Sequence, residues 1–167
     1  IFSLIIYAMI VFVFWSTKGL FNNLNYSGGD IPILGIIAMI VLSFLLSLIG
    51  GSGMGALMNP GAMGAGGANI LGIIGLVIML LWFALWIWFG IKCMGFSSAG
   101  GGLWKAIGIL YLVASGLILL MLVLMILGLV AGSQGLLATG GIFGFIGMLV
   151  MLAAWICHGI GLIMGAG

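Results

Sequence analysis

Long apolar runs without a charged side chain are the feature that most restricts how this chain can fold. A helix that crosses a bilayer core of about 30 Å needs about 20 predominantly apolar residues. Four segments reach that length, at residues 31–49, 70–91, 106–131 and 142–166, and a shorter one occupies residues 1–15. Because the chain begins at Ile1 inside this shorter run, we expect that further residues precede it. The runs predict five transmembrane helices in a single domain covering residues 1–167.

The composition excludes the main alternatives to a membrane protein. Only four of the 167 side chains carry a full charge, namely Lys18, Asp30, Lys92 and Lys105, and 66% of the residues are apolar. Soluble domains are about 25% charged, and disordered chains combine low hydrophobicity with high net charge. Residues 117–130 are apolar on every side, whereas the strands of a membrane barrel alternate in hydrophobicity. The predicted fold class is therefore all-α, a polytopic transmembrane bundle.

Short Gly-rich loops are expected to connect the helices, at residues 16–30, 50–69, 92–105 and 132–141. Asn and Gly in these breaks supply turn conformations. Pro32 is expected in the first turn of the second helix, where a missing N–H costs nothing, and Asp30 is placed to cap that helix. The 50–69 segment is compatible with a loop, a re-entrant segment or a sixth, poorly apolar crossing.

The lysines predict an orientation. With five crossings, the first and third loops lie on one side of the membrane, and all three lysines lie with them. Trp rings beside snorkelling lysines are typical of a membrane interface, and by the positive-inside rule we expect these loops and the C-terminus in the cytoplasm, with the N-terminus outside. The predicted interface anchors are Trp15, Lys18, Trp86, Trp88, Lys92, Trp104 and Lys105.

Small residues recur on one face of the fifth helix, alternately four and three residues apart. In lipid no hydrophobic force joins helices, so close approach at Gly and Ala identifies a contact face. We expect this face to pack against the fourth helix or against a partner. It comprises Gly140, Gly144, Gly147, Met151, Ala154, His158, Gly161 and Gly165.

His158, the only histidine, lies on the same face. An ionisable group inside a membrane span is a candidate functional residue. It can ligate haem iron, bind a quinone carbonyl or pass a proton, or it can be a neutral imidazole hydrogen-bonded to a neighbouring helix. A second His would be needed for bis-His haem ligation within the chain. We predict no cofactor apart from bound lipid, with haem or a quinone at His158 as the alternative.

The other candidate groups favour structural roles. Cys157 points about 100° away from His158 around the helix, so a shared metal site is not expected. Cys157 and Cys93 are also not expected to form a disulfide. The aromatic cluster at residues 82–89 predicts an interface belt or a lipid-facing surface. Ser43 and Ser47 are expected to bond back to their own helix.

Several functional classes are disfavoured by what the sequence lacks. No Asp, Glu or Arg occurs within a predicted span, although ion-coupled transporters and voltage sensors need buried charge. Hydrolase and phosphate-loop motifs are absent, and three cations are too few for nucleic-acid binding. An enzyme is not expected, and no soluble substrate is evident.

Three functional hypotheses follow. The first is a structural or accessory transmembrane subunit of a larger membrane complex, whose partners are the lipid bilayer and other transmembrane subunits or copies of itself. The second is a small homo-oligomeric channel or permease with residues 50–69 re-entrant, because uncharged Gly-rich backbone is tolerated at membrane depth where it lines a cavity. The third is an electron-transfer membrane subunit that holds haem or a quinone at His158.

Overall fold

The structure, a computed structural model, consists of α-helices. It describes residues 2–50 and 67–165, with side chains over residues 4–45 and 77–165. No strand occurs in these ranges, so the all-α prediction is confirmed. In chain order the helices are α1 (Phe2–Asn23), α2 (Asp30–Gly50), α3 (Gly67–Gly100), α4 (Gly102–Ala131) and α5 (Gln134–Gly165).

Four helices are long and apolar enough to cross a membrane. The qualifying stretches are Leu4–Asn23, Val77–Gly100, Gly102–Ala131 and Gln134–Gly165, whereas the described apolar stretch of α2, Asp30–Leu45, is shorter. At about 1.5 Å per residue, the 34-residue α3 is about 50 Å long and exceeds a bilayer core of about 30 Å. The chain is a multi-pass membrane protein.

The helices extend further into the predicted loops than the sequence indicated. α1 ends at Asn23 rather than at residue 15, and the break expected at residues 92–105 is reduced to Gly101 between α3 and α4. Gly101 has a φ of 87°, a conformation that a residue with a Cβ rarely adopts. The helix is interrupted at this one residue, and the Gly and Ser residues before it belong to α3.

A two-residue connection joins α4 to α5, in place of the loop predicted at residues 132–141. Gly132 adopts a left-handed conformation, with φ 63°, and the Ser133 N–H donates to the Gly128 carbonyl at 2.9 Å. This is the pattern of a glycine helix stop. The Ser133 hydroxyl then accepts the Leu136 N–H at 3.4 Å, which caps the start of α5. α4 and α5 therefore form a tight antiparallel hairpin.

The start of α2 also differs slightly from the expectation. Asp30 is the first helical residue rather than the residue before the helix, and the Ile33 N–H donates to the Gly29 carbonyl at 3.3 Å. Asp30 in the first turn still places negative charge at the positive end of the helix dipole. Residues 51–66, which make up most of the 50–69 segment, lie outside the described residues, and α3 begins at Gly67.

The bundle has one end that carries the lysines, here called the lysine end. It combines the end of α1, the loop at residues 24–29, the junction at Gly101 and the end of α5. The Tyr26 hydroxyl donates to the Lys92 carbonyl at 3.1 Å, and the Phe21 ring lies 5.6 Å from that of Trp104. Partial burial raises the pKa of Tyr26. The lysine end is thus held by contacts among α1, α3 and α4.

Candidate functional site

His158 lies in the centre of the helix bundle, near the lysine end. Its side chain is fully buried, on the face of α5 that packs against α4. Three helices besides α5 supply its surroundings, with Phe14 and Thr17 on α1, Phe89 on α3, and Trp104 and Tyr111 on α4. His158 and these five residues are called the His158 cluster below.

Both ring nitrogens of His158 have a hydroxyl partner. Nε2 lies 2.7 Å from Thr17 Oγ1, and Nδ1 lies 2.9 Å from the Tyr111 hydroxyl. Because Thr17 donates its single proton to the Val13 carbonyl at 2.8 Å, its oxygen accepts from His158 Nε2–H. The Tyr111 hydroxyl then donates to Nδ1. This assignment gives the hydrogen-bond pattern of a neutral imidazole, and it joins α5 to α1 and to α4.

Aromatic rings enclose the imidazole on its remaining sides. The ring centroids of Phe14, Phe89, Trp104 and Tyr111 lie 5.7, 5.6, 5.5 and 5.8 Å from that of His158. Three of the four rings meet it edge to face, an arrangement favoured by the aromatic quadrupole. The imidazole is therefore closely surrounded by aromatic rings from α1, α3 and α4.

Two buried polar atoms in the described core have no hydrogen-bond partner. They are Trp86 Nε1 on α3 and Ser115 Oγ on α4. The Trp86 ring lies 5.1 Å from Tyr111, next to the His158 cluster, and Ser115 lies one turn beyond Tyr111 on α4. Neither of these two atoms bonds to His158, whose hydrogen bonds in the described structure are made by Thr17 and Tyr111.

The small-residue face of α5 lies against α4 along most of its length. Gly140, Gly144, Gly147, Ala154, His158 and Gly161 are all buried. A Cβ at Gly147 would lie 2.8 Å from Ile118, and one at Gly161 would lie 3.0 Å from Ile107. Gly165 is exposed and lies beside Leu20 of α1 instead. The face is used within the chain, so it is not free to receive a partner helix.

The expected interface anchors divide into two groups. Trp15 is 60% exposed and Trp88 is 40% exposed, and the Lys18 ammonium lies 5.4 Å from the Trp15 ring. Trp86 and Trp104, in contrast, are buried in the core at 5% and 1% exposure. These two rings were expected at the membrane interface, but they lie between helices. Indole rings are large and apolar, so they can fill the space between helices as well as anchor a helix at the interface. Lys92 is half-buried and Lys105 is exposed.

The cluster at residues 82–89 likewise lies largely inside the protein. Phe83, Trp86 and Phe89 are buried, and Trp88 faces outward. The prediction of a lipid-facing belt is therefore wrong for most of these rings. Residues three or four apart lie on the same face of a helix, so Phe83, Trp86 and Phe89 share one face of α3, and that face packs against α1 and α4.

The remaining candidate side chains have the surroundings of structural residues. Cys93 is buried and Cys157 is half-buried, and both are free thiols. Ser43 donates to the Met39 carbonyl of its own helix at 2.8 Å, as expected, whereas the Ser47 side chain lies outside those described. Within the described part of the chain, no three His, Cys, Asp or Glu side chains come together.

The sequence did not indicate that Thr17 and Tyr111 are the hydrogen-bond partners of His158. Thr17 falls in a segment interpreted as a loop, and Tyr111 is one polar group within a long apolar run. The sequence indicates that a buried imidazole needs one donor and one acceptor in a span almost without polar side chains, but it does not indicate which residues supply them.

Comparison with known proteins supplies no relative. No protein-family model matches the sequence, no curated protein matches it, and no solved structure matches its fold.

Proposed function

We propose that this protein is a structural transmembrane subunit that acts through helix packing in a larger membrane assembly. One observation carries the proposal: the single intramembrane imidazole, His158, spends both ring nitrogens on Thr17 and Tyr111. A group used in this way joins helices and has no free position for a substrate or a metal. The polar centre of the bundle is thus a clamp between α1, α4 and α5.

The geometry gives less support to the electron-transfer alternative. Haem iron needs a ring nitrogen with a free lone pair, and the lone pair of Nδ1 already accepts a hydrogen bond from the Tyr111 hydroxyl. A quinone carbonyl would need the Nε2–H that Thr17 accepts. Either ligand would have to displace a hydroxyl from a space already filled by aromatic rings.

The channel alternative depends on residues 50–69, most of which lie outside the described residues.

Partner contacts would have to use the outer surface of the bundle, because the Gly-rich face of α5 is occupied by α4. A broad apolar surface is available on the opposite face of α5, where Phe145 and Met148 are 61% and 63% exposed. Leu152 and Ile156 continue it, each 58% exposed. We assign the partner contact to this surface, which we call the outer face of α5.

The test is site-specific photo-crosslinking in native membranes. A photoreactive amino acid replacing Met148 is expected to give a discrete adduct that contains a second polypeptide, identified by mass spectrometry. The same group at Ile107, which is 0% exposed, should crosslink only within the chain. A chain that purifies in mild detergent as a stable monomer, with no adduct from Met148 or from the exposed Met9 on α1, would contradict a subunit role.

We further propose that the lysine end faces the cytoplasm. Lys18, Lys92 and Lys105 all lie toward this end, and the positive-inside rule assigns such an end to the cytoplasmic side. In a chain with Cys93 and Cys157 replaced by Ala, an impermeant maleimide applied to intact cells is expected to label Ser133→Cys but not Ser98→Cys. Labelling of Ser98→Cys alone would reverse the orientation.

A further inference from the structure

An open groove runs between α1 and α5 on the outer surface of the bundle. Its volume is about 600 Å³, and its lining includes Phe12, Ser16 and Gly19 on α1 and Gly159 and Leu162 on α5. Phe12 is 69% exposed, so the groove opens toward the lipid. The two helices approach each other closely near the lysine end, where Gly165 lies beside Leu20.

Two glycines keep the groove open. A Cβ placed on Gly19 or on Gly159 would meet no atom within 4 Å, so neither glycine is required for close helix packing. In contrast, a Cβ placed on Gly147 or Gly161, on the small-residue face of α5, would lie 2.8 or 3.0 Å from a side-chain atom of α4. The space beside the packing glycines is filled by side chains of α4. The space beside Gly19 and Gly159 is not filled by any protein atom within 4 Å of a Cβ placed there.

The groove is lined by apolar side chains at its deep end, and two polar side chains, Ser16 and Asn23, join Leu20 and Leu24 in the lining toward the lysine end. It extends along α1 from Phe12 to Asn23, about 16 Å at the helical rise. Phe12 and Val13 line the deep end, and Asn23 lines the end where α1 terminates. This order matches a lipid molecule, whose acyl chain lies deep and whose headgroup lies at the interface.

A hollow that contains Lys18 adjoins the middle of the groove. It shares Ser16 and Gly19 with the groove and adds Lys18, Asn22 and Trp15 to the lining. The Lys18 ammonium lies over the Trp15 ring at 5.4 Å. The chain has three lysines and a single acid, Asp30, so its net charge is +2. An external anion can neutralise this excess positive charge.

We propose that this groove binds an anionic phospholipid, with one acyl chain between α1 and α5 and the phosphate at Lys18 and Asn22. Lipid tails are as apolar as the groove lining, so the acyl chain gains packing but no hydrophobic free energy on entering it. Selectivity between lipids therefore comes from the headgroup, through its charge attraction to Lys18. The site distinguishes anionic from zwitterionic lipids of the same chain length.

The experiment uses the full chain in detergent with equimolar phosphatidylglycerol and phosphatidylcholine of identical chains, read by native mass spectrometry. Lys18→Gln is expected to lower the phosphatidylglycerol adduct about fivefold relative to the phosphatidylcholine adduct. The matched control is Lys105→Gln, which removes an exposed lysine from the same end but not from the groove, and we expect less than a twofold change. Equal losses in the two variants would overturn the proposal.

A second pair of variants tests the groove itself. Gly19→Leu is expected to fill it and to remove most of both lipid adducts, without a clash that would prevent folding. Gly141→Leu makes the same change at a helical glycine that also has open space around it, and should retain both adducts. Unchanged lipid binding in Gly19→Leu would overturn the proposal. If the wild type is a dimer in the same detergent and Gly19→Leu is a monomer, the groove belongs to a second copy and the proposal is also overturned. Displacement of the lipid by glycerol phosphate at equal concentration would also overturn it.

Discussion

His158→Ala is expected to lower the free energy of unfolding by about 3 kcal/mol, a large effect for the truncation of one side chain. The substitution leaves a cavity among four aromatic rings and removes two interhelical hydrogen bonds. It also leaves the buried Tyr111 hydroxyl without its acceptor. The Thr17 hydroxyl loses the hydrogen bond that it accepts from His158, but it still donates to the Val13 carbonyl, so its contribution to the loss of stability is smaller.

The measurement is equilibrium unfolding by sodium dodecyl sulfate in mixed micelles, followed by circular dichroism. Leu152→Ala, on the same helix but 58% exposed, serves as the control and should cost less than about 1 kcal/mol, because lipid replaces the lost contacts. A His158→Ala variant as stable as Leu152→Ala would contradict the clamp. A visible absorption band that is present in the purified wild type and absent from His158→Ala would instead favour the haem alternative.

Thr17→Val and Tyr111→Phe divide the effect between the two hydrogen bonds. Each change keeps the shape of the side chain and removes one hydroxyl, at an expected cost of about 1 kcal/mol. Both variants leave one imidazole nitrogen unsatisfied, so the double variant is expected to show coupling of the two sites through the ring. Additive losses would mean that His158 does not connect the two hydroxyls.

Gly108→Ala is the second change with a large expected effect, a loss of about 1–3 kcal/mol of unfolding free energy. Gly108 on α4 faces Gly90 on α3, and the backbones of the two helices nearly touch. A Cβ at Gly108 would lie 2.5 Å from the Gly90 carbonyl oxygen and 2.8 Å from the Met94 nitrogen. Backbone atoms in a helix cannot move aside independently, so α3 and α4 would have to separate.

Gly116→Ala is the matched control, because Gly116 lies on the same helix and a Cβ there would meet no atom within 4 Å. Alanine is favoured over glycine inside a helix by about 1 kcal/mol, so this variant should be more stable than the wild type. The same unfolding assay measures both variants. If the two substitutions change stability in the same direction, the close approach of α3 and α4 does not contribute to stability as described.

The helices themselves were predictable because they depend on a property of the chain alone. Uncharged apolar runs must form helices in lipid, where each backbone group needs an internal partner. The helix ends were predicted less well. Residues 92–100 contain Gly and Ser and resemble a loop, yet they remain helical, and the positive φ that ends α3 falls at Gly101. Loop-forming composition by itself therefore does not show where a helix ends.

The role of individual side chains was less accessible from the sequence. Trp86 and Trp104 have the spacing of interface anchors, yet they fill the bundle core, because a ring beside a lysine can point either way around a helix. Tyr111 and Thr17 carry no sequence signal that links them specifically to His158. Their pairing depends on how α1, α4 and α5 are rotated relative to one another.

The sequence by itself determined a membrane-spanning helical protein, because its charge is too scarce for water and its apolar runs match the bilayer thickness. It also indicated which face of α5 carries the small residues. Only the tertiary structure decided that α4 covers this face and that Thr17 and Tyr111 complete the hydrogen bonds of His158. The physical reason is that lipid solvates every apolar surface almost equally, so the choice between possible helix contacts depends on close packing and on hydrogen bonds between residues far apart in the chain.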